Sequence, residues 1–284
     1  MILNNKSLFV IMILLAFLIN CNGGKMPEKT THSPSIKDVP DSAWQRLAQK
    51  KIYFGHQSVG FNIIDGIKDV MKENPQIMLN IVEITDPSES NVPIFAHSRV
   101  GKNRDPRSKI DAFATFMERG IGEKSDMAFF KFCYVDVTAR TDIDKVFNEY
   151  KNKMAHLDRK FPEMIFIHAT VPLTYKPTGI EGWKRKGKDF IKKIIGRPVR
   201  GYEDNIKRNQ FNEKLRKEYG GKAPIFDLST IESTFPDGTR SLFTKDGSTY
   251  YSLVPDYTHD GGHLNEKGRI IVAEQLLILL ANLD

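Results

Sequence analysis

Cysteine is scarce in this sequence, and so are long apolar segments. Only Cys21 and Cys133 are cysteines among its 284 residues, and this count excludes a framework of several disulfides. A nearly unbroken apolar run covers residues 8–19. As a helix this run would reach about 18 Å, well short of the ~30 Å hydrocarbon core of a bilayer. We therefore expect no permanent membrane-spanning helix from it.

Charge of one sign is not in large excess either. The formal net charge is +7, and much of the basic excess lies in residues 184–200. Such a stretch could face acidic glycans, anionic lipid or nucleic acid. A solvated basic face is the commoner explanation, and we expect no nucleic-acid partner.

The apolar run follows a basic residue, Lys6, and ends at the tetrapeptide Leu18-Ile19-Asn20-Cys21. This order of features predicts a signal peptide over residues 1–20. The ending resembles a lipobox, the site at which bacterial lipoproteins are cleaved and lipidated. The resemblance implies a lipid on Cys21 that anchors the chain to a membrane. The alternative is an ordinary signal peptide with an incidental cysteine.

Export of this kind would place the chain in the bacterial cell envelope. Residue 22 is Asn, so the aspartate that often retains lipoproteins at the inner membrane is absent, and the outer membrane or cell surface is expected. Residues 21–40 are polar and rich in Pro, Ser, Thr and Lys, which predicts a flexible tether. Residues 41–284 then suffice for one sizeable α/β domain.

Strand-like and helix-like segments alternate through this domain. We expect strands at 51–54, 77–84, 127–135, 164–170 and 224–228, and helices at 59–72, 110–117, 143–157, 203–219 and 266–283. Such alternation predicts a three-layer α/β/α sandwich with about five parallel strands, similar to flavodoxin in layout. Two long connections, 85–107 and 172–202, each follow a strand and should lie where ligands bind.

Two distant segments carry the residue types of a serine hydrolase. Ser58 lies at a strand-to-helix turn, where it could act as a nucleophile or simply cap the helix. Asp260 and His263 lie three residues apart on a glycine-rich turn before the last helix. A serine hydroxyl needs an imidazole to accept its proton, and the imidazole needs a carboxylate to orient it. Taken alone, His263 could equally be an ordinary surface histidine.

Together these segments resemble the SGNH, or GDSL-like, hydrolase family over residues 50–284. The family places its nucleophile after the first strand and an Asp-x-x-His pair before the last helix, as Ser58 and Asp260-Gly261-Gly262-His263 do here. The resemblance implies an SGNH-type esterase with Ser58 as nucleophile, His263 as general base and Asp260 as its orienting carboxylate. It also implies an O-acetyl group on a carbohydrate as the target, and no metal or organic cofactor.

The sequence departs from the family pattern in two blocks. The first reads Gly55-His56-Gln57-Ser58-Val59, without the acidic residue before the serine, and His56 and Gln57 become candidate substrate contacts. The third reads Cys133-Tyr134-Val135-Asp136, so its oxyanion-hole asparagine is missing. The resemblance assigns the oxyanion hole to the backbone of Ser58 and Gly101, with Asn103 as a replacement amide donor.

Three other hypotheses stay open on the sequence. The same residues could transfer an acyl group to another sugar instead of to water. A non-catalytic glycan-binding lipoprotein could retain the fold, and the missing asparagine favours this reading. His56, His259, Asp260 and His263 could form a metal site. His259 and His263 are four residues apart, but the two glycines between them argue against a helix that would present both as ligands. Cys133 lies in an apolar segment and is expected to be a buried free thiol.

Overall fold

The computed structural model describes residues 34–86, 93–175 and 202–283. The predicted signal peptide, the lipidation site Cys21 and most of the predicted tether lie outside these residues, as does most of the connection 172–202. None of the helices within the three described ranges is both long enough and apolar enough to cross a membrane.

A six-stranded parallel sheet forms the centre of the domain, with helices on both faces, and confirms the predicted α/β sandwich. Its strands are β1 (Lys51–His56), β2 (Ile81–Glu83), β3 (Ile94–Arg99), β4 (Met127–Phe130), β5 (Ile165–Ala169) and β6 (Ile225–Phe226). They lie in the order β2-β3-β1-β4-β5-β6. Without the edge strand β2 this order is that of flavodoxin. A separate antiparallel hairpin contains β7 (Leu242–Lys245) and β8 (Ser248–Tyr251).

Seven helices surround the sheet in the described part of the chain. They are α1 (Asp41–Leu47), α2 (Val59–Glu73), α3 (Pro106–Phe116), α4 (Ile143–Lys160), α5 (Tyr202–Tyr219), α6 (Leu228–Glu232) and α7 (Glu266–Ala281). Single helical turns at Met117–Ile121 and Gly122–Lys124 extend α3, and short 3-10 turns occur at Ile36–Asp38 and Pro255–Tyr257.

The core has one apolar layer on each face of the sheet because strand residues alternate between the faces. In β1, Ile52 and Phe54 belong to the layer beneath α1, α2, α6 and α7, whereas Tyr53 belongs to the layer beneath α3, α4 and α5. Trp44 of α1 is 1% exposed and packs in the first layer. These two layers fix the carboxyl ends of β1 and β3 at one edge of the sheet.

The number of strands was underestimated, because β3 lies inside the connection 85–107 that was expected to be a loop. Only the first half of this strand is apolar, and its second half reads His97-Ser98-Arg99, so the strand has no clear apolar pattern.

The end of the predicted tether also differs from the expectation. Ile36 is buried, and the side chain of Gln275 donates to the carbonyl of Pro34. The last residues of the predicted tether therefore pack against the domain.

The strand expected at 127–135 ends at Phe130. Beyond it the chain turns, and the carboxylate of Asp136 accepts the backbone N–H of Cys133 at 2.6 Å. Phe132, Cys133 and Tyr134 are buried in this turn rather than in the sheet, and Val135 is half-buried. Cys133 is buried and forms no disulfide within the described ranges.

Candidate active site

Ser58 lies in the short turn between β1 and α2, at the position that precedes the first helical residue. Its side chain accepts no capping hydrogen bond from the helix. Instead, its hydroxyl oxygen lies 3.2 Å from Nε2 of His263, which is 205 residues away in the chain. The sequence allowed two roles for Ser58, as a nucleophile or as a helix cap, and the structure shows no capping hydrogen bond.

Close packing of α2 against α7 brings the two segments together. A Cβ on Gly66 would lie 2.3 Å from the carbonyl oxygen of Arg269, so only glycine permits this approach of the two backbones. Asp69 binds the Arg269 guanidinium at 2.7 Å, and Asn62 accepts the backbone N–H of Leu264 at 3.3 Å. The turns that precede both helices therefore lie side by side.

The turn before α7 holds the imidazole of His263 in a fixed orientation. Nδ1 of His263 lies 2.6 Å from Oδ2 of Asp260. The other carboxylate oxygen accepts the backbone N–H groups of Gly262 and His263 at 2.9 and 2.8 Å. Partial desolvation acts to raise the pKa of Asp260, but the hydrogen bonds from His263 and Gly262 outweigh it and hold that pKa well below its usual value.

The protonation of Asp260 decides the tautomer of His263. An ionised carboxylate can only accept a hydrogen bond, so Nδ1 of His263 carries the proton. In the neutral imidazole, Nε2 is then the unprotonated nitrogen and can accept the proton of Ser58. The arrangement has the order and the hydrogen-bond lengths that general-base activation of a hydroxyl requires.

Tyr134 forms one wall beside this group. Its ring makes an edge contact with the imidazole of His263, with ring centroids 5.6 Å apart. A Cβ on Gly262 would lie 2.8 Å from the Tyr134 ring, so the second glycine of the turn leaves room for the tyrosine. The guanidinium of Arg208 fixes the backbone there, because its Nε donates to the carbonyls of Tyr134 and Val137 at 2.9 and 3.1 Å.

Gly101 lies two residues beyond β3, as Ser58 lies two residues beyond β1, and His56 pairs with Arg99 in the parallel register. The two turns are therefore neighbours at the same edge of the sheet. Gly101 has a φ of 57°, and a Cβ there would lie 2.5 Å from the backbone nitrogen of Lys109. Both observations explain why this position is glycine.

Gln57 connects the two turns. Its side-chain amide donates to the carbonyls of Val100 and Gly101 at 3.3 and 3.0 Å. Its amide N–H groups are thus directed at the protein, and the expected substrate contact by Gln57 stays a prediction. This bridge holds the turn of Gly101 next to Ser58.

The expectation that His56 contacts substrate is wrong in this structure. His56 is 0% exposed, and its Nε2 lies 3.1 Å from Nδ1 of His97. Its ring also packs against Phe54 and Phe61. Burial, followed by the charge of Lys131, lowers the pKa of His56 to about 2, so this histidine is neutral.

Asn103 is exposed and follows Gly101 in the same turn. Its side-chain oxygen accepts a hydrogen bond from the ammonium of Lys109 at 2.9 Å. Val135, which the sequence resemblance aligns with the missing asparagine, is half-buried and has no polar side-chain atom. Within the described ranges, no group of three His, Cys, Asp or Glu side chains is arranged to bind a metal ion.

Sequence reasoning missed a set of buried ionisable side chains behind this edge of the sheet. Lys109, Lys131, Asp136, Arg208 and Glu232 are each 3% exposed or less. The sequence contained a signal that Lys109 is buried, because this residue lies four positions before Phe113 on the apolar stripe of α3. Asp136 pairs with Lys109, 27 residues away in the sequence, so no local pattern indicates its burial.

Glu232 is the most strongly perturbed carboxyl of this set. Desolvation raises the pKa of Glu232 to about 8, although the N–H of Leu173 and the charges of Lys131 and Arg208 act to lower it. One carboxyl oxygen accepts the N–H of Leu173, and the other has no partner among the described residues. The protonated acid is therefore the stable form in the neutral range.

Glu232→Gln is expected to flatten the loss of stability that occurs as the pH rises from about 4.5 to 8. Because the folded-state pKa is raised, the stabilisation is complete below the usual carboxyl pKa and is lost as the pH rises through about 8. The glutamine cannot ionise, so the melting temperatures of variant and wild type should diverge progressively between about pH 4.5 and 8 and differ by a constant amount above that range. Each pKa unit corresponds to about 1.4 kcal/mol. The exposed Glu163→Gln is the matched control, and parallel melting curves for Glu232→Gln and wild type would contradict this assignment.

No family model matches the sequence, and no curated protein is significantly similar to it. Solved structures with a similar layout include a member of the lipolytic G-D-S-L family from Veillonella parvula, with 13% identity, a TM-score of 0.45 and coverage of 82% of this chain and 98% of that one. A mutant acetyl esterase with acetate ion has 12% identity, a TM-score of 0.44 and coverage of 81% and 96%. The periplasmic domain of a lipopolysaccharide acetyltransferase from Salmonella Paratyphi A has 12% identity, a TM-score of 0.43 and coverage of 86% and 88%. Identities this low concern the fold alone, and TM-scores below 0.5 carry no argument for activity.

Proposed function

We propose that this protein is a serine hydrolase that cleaves carboxylic esters, with O-acetyl groups on a carbohydrate as its substrate class. One observation carries the proposal: Ser58, His263 and Asp260 form a continuous hydrogen-bonded series, with distances of 3.2 and 2.6 Å. A serine hydroxyl is a weak nucleophile until a base accepts its proton, and this series supplies an oriented base.

The reaction has two steps that use the same imidazole. Ser58 Oγ attacks the ester carbonyl carbon while its proton passes to Nε2 of His263, and Asp260 stabilises the imidazolium that forms. The tetrahedral intermediate then collapses as His263 returns the proton to the departing alcohol, which leaves an acyl group on Ser58. Water, deprotonated by His263, attacks this acyl group; the second tetrahedral intermediate collapses as the bond to Ser58 Oγ breaks and His263 returns the proton to that oxygen, which releases the carboxylic acid and restores the free enzyme. No metal or organic cofactor takes part.

The negative charge of each tetrahedral intermediate needs hydrogen-bond donors. The backbone N–H groups of Ser58 and Gly101 and the amide of Asn103 are the donors that we propose. Ser58 also immediately precedes α2, where the positive end of the helix dipole favours a developing anion. The bridge from Gln57 to Gly101 supports this assignment, because it holds the two turns together.

The carbohydrate substrate and the cellular location rest on the sequence resemblances. The side chains of His263 and Asp260 are 41% and 51% exposed, which is compatible with an ester carried on a large polymer. We propose that a lipid on Cys21 anchors the protein to the cell envelope, where such polymers occur.

Release of acetate tests the proposed function. The protein is incubated with p-nitrophenyl acetate and with acetylated xylan, and free acetate is measured with and without an unacetylated oligosaccharide. Release above the buffer rate is expected, whereas rates equal to buffer on both esters would overturn the proposal. Acetylated oligosaccharide as the main product would identify a transferase that uses the same residues.

A glycan-binding protein without catalysis is the second candidate. Val135 favours it, since an apolar side chain occupies the position where the family has an oxyanion donor. Glycan binding by wild type, together with equal ester hydrolysis by wild type and Ser58→Ala, would support this candidate.

A further inference from the structure

A buried ion pair lies directly behind the turn that contains Gly101 and Asn103. The ammonium of Lys109 lies 2.5 Å from Oδ2 of Asp136, and both side chains are 0% exposed. Burial of a charged pair costs desolvation energy and is a poor route to stability by itself. We therefore expect this ion pair to have a role other than stabilising the fold.

The ion pair fixes the turn through several hydrogen bonds. The second carboxylate oxygen of Asp136 accepts the backbone N–H of Arg104 at 2.7 Å, and Lys109 donates to the side-chain oxygen of Asn103 at 2.9 Å. The backbone N–H of Lys102 donates to the hydroxyl of Ser108 at 2.8 Å. Residues 101–105 are thereby attached both to the start of α3 and to the turn after β4.

The contact with Lys109 also decides which way the amide of Asn103 faces. An ammonium group has only donors, so the oxygen of the amide must face it and the NH₂ group must face away. Within the described residues, this NH₂ group has no hydrogen-bond acceptor of its own. Its two donors are left available at an exposed position two residues beyond Gly101.

We propose that Lys109 and Asp136 are positioning residues that hold the amide N–H of Asn103 toward the oxyanion of the tetrahedral intermediate. The inference rests on the proposed serine hydrolase function. It accounts for Val135: the donor missing from the turn after β4 is supplied by the turn after β3. Asp136, in the turn that lost the donor, holds the replacement in place.

Kinetics of Asn103 variants test the first part of the proposal. Asn103→Ala is expected to lower kcat on p-nitrophenyl acetate by about 10²–10³-fold, the usual loss for one oxyanion donor, with little change in KM. Asn103→Asp should lower kcat further, because it places a carboxylate beside the developing anion. Asn152→Ala, at an exposed position of α4, is the matched control. An unchanged kcat for Asn103→Ala overturns the proposal.

A double-mutant cycle tests the positioning role. Lys109→Met is introduced into wild type and into Asn103→Ala, and folding is checked by circular dichroism. If Lys109 acts through Asn103, its effect on kcat is large in wild type and nearly absent in Asn103→Ala. Equal losses in both backgrounds would overturn the positioning role. If Lys109→Met does not fold, Asp136→Asn, which keeps the shape of the side chain, takes its place in the cycle.

The outcomes also separate this proposal from the proposed function. If wild type and Ser58→Ala hydrolyse the ester at equal rates, the serine hydrolase function fails. If Ser58→Ala is inactive but Asn103→Ala retains the wild-type kcat, the hydrolase function stands and only the role of Asn103, Lys109 and Asp136 fails.

Discussion

Ser58→Ala is expected to lower kcat for ester hydrolysis by roughly 10⁴–10⁶-fold, the range found when a serine nucleophile is removed from other hydrolases. The variant lacks the oxygen that attacks the carbonyl carbon, and no other hydroxyl is hydrogen-bonded to Nε2 of His263 in the described part of the chain. The expected loss is in kcat rather than in KM, because the missing oxygen acts in the transition state.

The fold should tolerate this change. The hydroxyl of Ser58 accepts no capping hydrogen bond from α2. When it is removed, every backbone group of the helix therefore keeps the partner that it has in wild type. Thermal melting of Ser58→Ala should therefore match wild type. Ser248→Ala, at an exposed position in β8, is the matched control and should keep full activity. A loss of activity accompanied by a lower melting temperature would point to misfolding instead of a missing nucleophile.

Asp260→Asn is expected to lower kcat by about 10⁴-fold while the geometry is preserved. One oxygen of Asp260 accepts two backbone N–H groups, from Gly262 and His263. In the variant, the amide oxygen must keep this position, so the NH₂ group faces Nδ1 of His263. Nδ1 then becomes the acceptor, the ring proton moves to Nε2, and the imidazole can no longer accept the proton of Ser58.

This tautomer change has a spectroscopic signature besides the loss of activity. Nitrogen NMR of labelled histidine should show protonated Nδ1 in the wild type and protonated Nε2 in Asp260→Asn. The matched control is Asp256→Asn, because Asp256 is an exposed carboxylate in the same region and its side chain does not contact His263. An unchanged tautomer in Asp260→Asn would contradict the role assigned to the carboxylate.

The sequence predicted those parts of the fold that depend on local patterns. Alternating apolar segments predicted the sandwich, and β1, β4 and β5 were found because each contains a run of apolar residues. β3 was missed because its second half is polar. All three residues of that half pair with β1, and His97 also pairs with β2; this pairing is a tertiary contact that no local pattern records.

The site was predictable to a similar degree. Ser58, Asp260 and His263 lie in turns next to helix starts, where the residue types alone indicate the chemistry. The ion pair of Lys109 and Asp136 joins positions 27 residues apart and depends on how α3 packs over the turn after β4. Burial likewise decided the role of His56, which the sequence placed in the nucleophile turn without showing that its ring faces inward.

Covalent labelling tests the central claim most directly, since it asks whether Ser58 is an activated nucleophile. The protein is treated with a fluorophosphonate, and the modified residue is identified by peptide mass spectrometry. The account predicts stoichiometric modification of Ser58 in wild type, with no labelling of Ser58→Ala and strongly slowed labelling of His263→Ala. Absence of modification in wild type, or equal labelling of wild type and His263→Ala, would contradict it.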